Sequence, residues 1–371
     1  MSNYPRLTID LRKLRENAYQ LRQLCDTRGI QLAGVIKGAN GLVPCARAMA
    51  EAGVRFLASS RLEQLAHVWD AGIETERMML RVPMLSEVDE VVRLCSISLQ
   101  SDPVVLEAME QAAAAANVEH SVILMADLGD LREGWWDKES FVQAALWVEK
   151  DLPHLHLAGI GTNLGCYGSI VATPKKLEEL VVLAEQIEAQ IGRPLEWISG
   201  GATTSLPRVV EGNMPARVNL LRVGEGILLA EYMLDMEGYG PALEELGVHL
   251  HRDVFSLEAE VIEVRDKPTF PVGEIGSVDA FGHTVQYEDR GIRHRALLAL
   301  GKVDYGDPAD LLPRVSGVEV LGASSDHTIA DVQEAMEAGS EIHTGDVISF
   351  DLTYSTLVYA ASSENVKIVF E

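Results

Sequence analysis

Short apolar runs and helical periods alternate along the first two thirds of the chain. Runs at 31–36, 55–58, 77–82, 95–99, 120–126, 155–160, 196–199 and 218–222 carry clustered apolar residues, the pattern of strands buried on both faces. In the first of them Leu32, Val35 and Ile36 cannot all face one side of a pleated strand. Between the runs lie segments whose apolar residues recur at three and four spacing, clearest at 175–191 and 103–115. Eight such alternations predict an α/β fold of the (β/α)8 TIM type; an open doubly wound sheet alternates similarly, and the count favours the barrel. After about residue 240 the texture changes. SLEAEVIEVRD, GIRHRALLALG, VEVLGAS and GDVISFDLTY are strand-like with Gly, Pro and Asp turns between them, and one helical segment is expected near 329–338. The expected division is a barrel over 11–239 and a mostly β C-terminal domain over 240–371 that takes in residues 1–10.

A chain of 371 residues with 47% hydrophobic content has enough apolar matter for two or three domains with real cores. With 31 basic against 56 acidic residues, the net charge of −25 repels phosphate backbones and anionic lipid, so neither nucleic acid nor membrane is an expected partner. No stretch approaches the roughly 20 apolar residues of a membrane span, and MSNYPRLTIDLRKL lacks the apolar core of a signal peptide, which points to the cytoplasm. The four cysteines are scattered, with no CxxC or Cys/His spacing, so neither a disulfide framework nor a metal site is expected.

The stretch GVIKGANG, 34–41, ends a buried run with Lys37. One reading is a solvated lysine opening a loop; the other is a desolvated amine of lowered pKa, ready to form a Schiff base. In barrels of this type the active site lies at the carboxyl ends of the strands, and phosphate is commonly held by the loops after strands seven and eight. Here those loops are SGGATTSLP, 199–207, and RVGEG, 222–226. Their backbone N–H groups and the hydroxyls of Thr203, Thr204 and Ser205 could converge on an anion. A reactive lysine facing a phosphate cradle suggests pyridoxal 5'-phosphate.

IDLRKLRENA, GVIKGANG, MADLGDLREG, GTNLGCYG, SGGATTSLP, LLRVGEGILL, DRGIRHRALLALG and LGASSDHTIAD occur in order through nearly the whole chain. On these segments the sequence resembles the alanine-racemase-like, fold-type III pyridoxal-phosphate enzymes, and most closely their ornithine racemase branch. The resemblance implies an isomerase that interconverts L- and D-amino acids by two-base proton transfer at Cα. It implies that Lys37 carries the cofactor as an imine and acts as one base. Arg222 would face the pyridine nitrogen, where the decarboxylases of this fold type place a carboxylate. Arg132 would approach the phenolic oxygen or the substrate, unless it is spent on Asp130 or Glu133. Asn163 would lie beside the cofactor, and Thr203, Thr204 and the Gly224 backbone would hold its phosphate. The SSDHTIAD loop, 324–331, would reach a neighbouring subunit of a homodimer, with Ser325 and Asp326 at the substrate carboxylate; a plain turn carboxylate is the other reading of Asp326.

Three positions depart from the alanine racemase pattern. Gly41 stands where a tyrosine is expected, Asn163 where a histidine is, and Lys302 in GKVDYG where the second catalytic tyrosine is. The second base is therefore open among Lys302, given a desolvated amine, Tyr305, given a shift of register, and Cys166 or Tyr167. The departures point to ornithine or another larger, basic amino acid, whose distal ammonium Asp279, Asp326 or Glu225 could receive. The rival expectations are a non-catalytic cofactor carrier and a decarboxylase or aldolase of the same fold type.

Overall fold

A computed structural model describes residues 3–284 and 286–371. The chain forms two compact units, one of Leu11–Arg252 and the other of the residues up to Asp10 together with Asp253–Glu371. The first unit therefore runs past residue 240: Gly240–Glu245 is helical, and the strand-rich texture begins only beyond it.

The chain opens with β1 (Arg6–Ile9), which belongs to the second unit. Eight parallel strands follow and close into a barrel: β2 (Gln31–Val35), β3 (Phe56–Ser59), β4 (Glu76–Met79), β5 (Ile97–Gln100), β6 (His120–Met125), β7 (Leu155–Gly161), β8 (Trp197–Ser199) and β9 (Leu220–Val223). Each expected run contains one of them or overlaps it, and closure of β2 against β9 excludes the open sheet. Alternation along each strand divides its residues between barrel interior and outer helices. Ala33, Val35, Phe56, Ala58, Met78, Ile97, Leu99, Ile123, Met125, Ala158 and Leu220 fill the interior as one buried cluster. The outer helices start and stop where the sequence provides caps. The Asp102 carboxylate accepts the N–H groups of Val104 and Val105 before Pro103–Ala116, and Thr173 caps Pro174–Ile191, which stops at left-handed Gly192. Among the described residues no helix is long and apolar enough to cross a membrane.

The second unit is an eight-stranded, mostly antiparallel sheet. Its main path runs β12 (Leu311–Pro313), β15 (Val347–Leu352), β10 (Phe255–Pro268), β11 (Ile292–Leu298), β14 (Thr328–Asp331) and β13 (Glu319–Ala323). β1 pairs antiparallel with β10 and parallel with β16 (Lys367–Phe370), so both ends of the chain share one sheet. From Phe255 to Val261 burial alternates strictly, as expected of a sheet with one face in a core. The helix expected near 329–338 is corrected. Ile329–Asp331 lie in β14, held between β11 and β13, and the helix is only Gln333–Glu337.

Candidate active site

Strand alternation places the chemistry. Ala33 and Val35 face the barrel interior, and Lys37 stands two residues beyond Val35 in a short 3-10 turn at the carboxyl end of β2, within electrostatic range of Arg132 and Arg222. Leu220 faces inward and so does Arg222 on the neighbouring strand. Water reaches Lys37, yet the amine stands among enough protein for its pKa to be lowered, first by lost hydration and next by the positive charge of Arg132.

Arg222 is buried, and burial pulls its pKa down to about 10, which leaves it charged at neutral pH. It donates from Nη1 to Ser199 Oγ and from Nη2 to the Thr162 carbonyl, 2.8 Å away. Both partners are neutral oxygens. A buried cation without a paired carboxylate is costly unless a further acceptor meets it. Gly161 faces inward, since a Cβ there would meet Ser199, Met125 and Ile123, and Asn163 lies two residues beyond it. Its Nδ2 is buried and has no partner.

Beyond β8, Gly200 and Gly201 let the loop wind tightly. A Cβ on Gly200 would lie 2.5 Å from Val218 Cγ1, and one on Gly201, at φ +113°, 2.6 Å from Ser205 Oγ. The two threonines differ. Thr203 Oγ1 accepts the Gly226 N–H at 3.1 Å and keeps its proton to give, whereas Thr204 spends its proton on the Leu164 carbonyl at 2.7 Å. Of the pair, Thr203 is the one that can donate to a phosphate as placed. Gly224 packs against Val35, whose Cβ lies 3.1 Å from where its own would be, and so holds the β9 loop close to Lys37's strand. Amine, buried guanidinium, orphaned amide and tight glycine loops thus fit pyridoxal phosphate.

Arg132 pairs with Glu133, Nη2 to Oε1 at 2.5 Å, and that hydrogen bond holds its pKa above the usual range. The alternative to Glu133, Asp130, is engaged elsewhere. Its buried carboxylate accepts four backbone N–H groups, those of Gly165 (3.1 Å), Cys166 (3.3 Å), Tyr167 (3.2 Å) and Gly168 (3.2 Å), and so fixes the loop after β7. Sequence reading missed this role, because acceptor and donors are 35 to 38 residues apart. Missed too was the reason for Gly41. A Cβ there would lie 2.4 Å from Gln64 Cβ, and Gln64 is tied at both ends, accepting from Ser59 Oγ and donating to Asn40 Oδ1. A polar triad fills the space beside the tyrosine's slot.

Of the remaining expected residues, Glu225 lies in the first unit, where its carboxyl accepts the Tyr232 N–H at 3.1 Å, and the others belong to the second. The Lys302 and Val303 N–H groups donate to the Ser324 and Ser325 carbonyls at 3.0 and 3.2 Å. Gly301 permits this: a Cβ there would lie 1.9 Å from Ser325 O. Lys302 is thus brought beside Ser325 and Asp326, whose side chains bond each other at 2.7 Å. The Lys302 ammonium lies 3.8 Å from Asp279 and 4.2 Å from the Phe281 ring centroid. Tyr305 is corrected as a candidate base. It is fully buried, burial pushes its pKa up to about 12, and its hydroxyl meets Thr328 Oγ1 at 2.8 Å. Since Thr328 donates to the Leu300 carbonyl, the Tyr305 proton goes to Thr328 and is not available to a substrate.

A closed parallel barrel whose mouth gathers an amine, a buried guanidinium and tight glycine loops is of the class that can hold a phosphate-bearing aldehyde. More narrowly, the chain is a member of the family described as alanine racemase, N-terminal domain, whose model matches residues 9–231. It is 37% identical to the ornithine racemase of Acetoanaerobium sticklandii over 364 residues, covering 98% of this chain and 99% of that one. It is 38% identical to the lysine racemase of Thermotoga maritima over 368 residues, covering 99% of each. Among solved structures, the alanine racemase of D-cycloserine-producing Streptomyces lavendulae superposes with a TM-score of 0.73 at 20% identity, covering 100% of this chain and 98% of that one. At that identity the likeness concerns the fold.

Proposed function

We propose that the chain is a pyridoxal-phosphate-dependent racemase of basic amino acids such as ornithine or lysine. The observation that carries the cofactor is the buried Arg222 guanidinium, which meets only neutral oxygens on its own chain. The substrate class rests on racemases of ornithine and lysine matching almost end to end. When bound, pyridoxal phosphate supplies an aldehyde for the substrate amine and a conjugated ring that accepts the electron pair left when the Cα proton departs.

The residues do the rest. Lys37 takes or returns the Cα proton at Nζ, a task suited to an amine of lowered pKa. Arg222, charged at neutral pH, would face the ring nitrogen and keep it unprotonated, which would restrain side reactions such as transamination. Thr203 Oγ1 and the Gly224 loop would hold the phosphate, and Asn163 Nδ2 would give the cofactor its otherwise unused donor. Arg132, held by Glu133, would meet the phenolic oxygen or the substrate. Ser325 and Asp326 belong to the same proposal as substrate contacts supplied within a homodimer. The four free thiols fit a reducing cytoplasm.

The test is Cα deuterium exchange in heavy water over a panel of amino acids, read with chiral chromatography. Exchange with inversion on ornithine or lysine, and its loss together with the visible cofactor band in Lys37→Ala, is expected. Carbon dioxide, an aldehyde product, or a yellow protein that exchanges nothing would replace this reading with decarboxylation, aldol cleavage or cofactor carriage.

A further inference from the structure

Racemisation needs a second proton-transfer group, and the two residues of the second unit nominated for it are engaged. Tyr305 is sealed behind Thr328, and the Lys302 ammonium is paired with Asp279 beside Phe281. We propose that Cys166 is that second group, working from the same barrel mouth as Lys37 and on the opposite face of the substrate Cα. This rests on the racemase reading above.

Three observations converge on the loop after β7. It is built to hold a position. Its backbone from Gly165 to Gly168 is gripped by Asp130, and a Cβ on Gly165 would lie 2.7 Å from Thr204 Cγ2, itself on the neighbouring loop that binds Leu164. A side chain carried there is presented on fixed backbone even though the loop faces water. Next, Cys166 is exposed while Cys25, Cys45 and Cys95 are buried. Finally, the same loop carries Asn163, a buried residue whose Nδ2 has no partner on this chain and is left to give to a ligand. Lys37, Arg132 and Arg222 all lie within electrostatic range of Cys166, which places it with them at the barrel mouth.

The step balances without any further reagent. In one direction neutral Lys37 Nζ takes the Cα proton and becomes an ammonium, the bonding electron pair stays with the cofactor-conjugated carbon, and Cys166 Sγ–H delivers its proton to the other face and becomes a thiolate. The reverse direction exchanges the two roles. Solvent returns both groups to their starting states between turnovers.

Cys166→Ala and Cys166→Ser test this with L- and D-ornithine supplied separately in heavy water. Inversion is expected to fall on the order of 100-fold or more. Cα exchange is expected to persist for one enantiomer only, while the cofactor band and the borohydride adduct at Lys37 are unchanged. A readout independent of turnover is iodoacetamide labelling before cofactor is added, followed by peptide mapping. Label should reach Cys166 ahead of the other three cysteines and then leave cofactor binding intact. Racemisation within about threefold of wild type in Cys166→Ala overturns the proposal. So does loss of exchange with both enantiomers, or one-sided exchange appearing in Lys302→Met instead. Failure of the underlying reading looks different: the wild-type protein then shows no cofactor band and exchanges no amino acid, which ends both.

Discussion

Replacing Asp130 removes one carboxylate and orphans four N–H groups at once. In Asp130→Ala the donors of Gly165, Cys166, Tyr167 and Gly168 lose their shared acceptor. A hydrogen bond to a charged group contributes about 1.5–3 kcal/mol, so the gross loss is about 6–12 kcal/mol. Most of that returns as hydration, because residues 166–169 are exposed and water can follow into the space. A net destabilisation of about 2–4 kcal/mol is expected. Asp130→Asn separates charge from geometry. Three of the four N–H groups converge on Oδ1, which an amide oxygen can replace, while Tyr167 donates to Oδ2, where the amide would place a second donor. About half the loss is expected there. Urea unfolding gives the free energies, and amide hydrogen exchange over 165–168 localises the effect. Asp130→Ala unfolding within about 0.5 kcal/mol of wild type, with exchange at those amides unchanged, would refute the reasoning.

Two further expectations follow from buried groups near the site. Gly41 has φ +65°, and a Cβ there would lie 2.4 Å from Gln64 Cβ, so Gly41→Ala should lower stability by about 2 kcal/mol, seen as a lower melting temperature. Glu225 titrates high, at about 7, chiefly through burial and with Glu231 adding repulsion, opposed by the Tyr232 and Glu231 N–H groups and by Arg252. Its neutral form is the one the fold favours, so its stabilisation is complete below its unfolded pKa near 4.5 and is lost as pH rises through about 7. That change amounts to about 2–3 kcal/mol, and Glu225→Gln should flatten the stability–pH curve between those limits, checked by urea titrations at stepped pH.

Much of the barrel was legible because doubly buried strands write their position locally. Residues 31–36, 196–199 and 218–222 can be little else, and the glycine loops and Lys37 follow from where those strands end. The second unit was less readable. Ile329 carries helix-compatible neighbours, but its pairing with Leu297 on one side and Gly322 on the other decides its state, and the first of these is not local. The 4-residue strands β1 and β16 left no distinct signal, since each is defined by a partner at the far end of the chain. In the site, residue types with strong chemistry were found and the residues that hold them were not. Asp130, Gln64 and Ser199 act through contacts 20 to 40 residues away or through a neighbour's geometry, and no spacing rule announces them. The hydroxyls of Thr203 and Thr204 look alike in sequence; only their partners tell which one retains a proton.

The pairing of β1 with β16 sets an order of events during synthesis. All eight barrel strands have been made by Val223, so that core can assemble while the ribosome is still translating the later strands. In the other sheet β1 is made before the barrel strands, its partner β10 only after them and its partner β16 after every other strand, so that segment waits first for one edge to be covered and then for the second. Arg6 and Thr8, which both reach Glu258 in the finished sheet, keep that waiting segment polar on alternate positions and so discourage it from pairing with strangers.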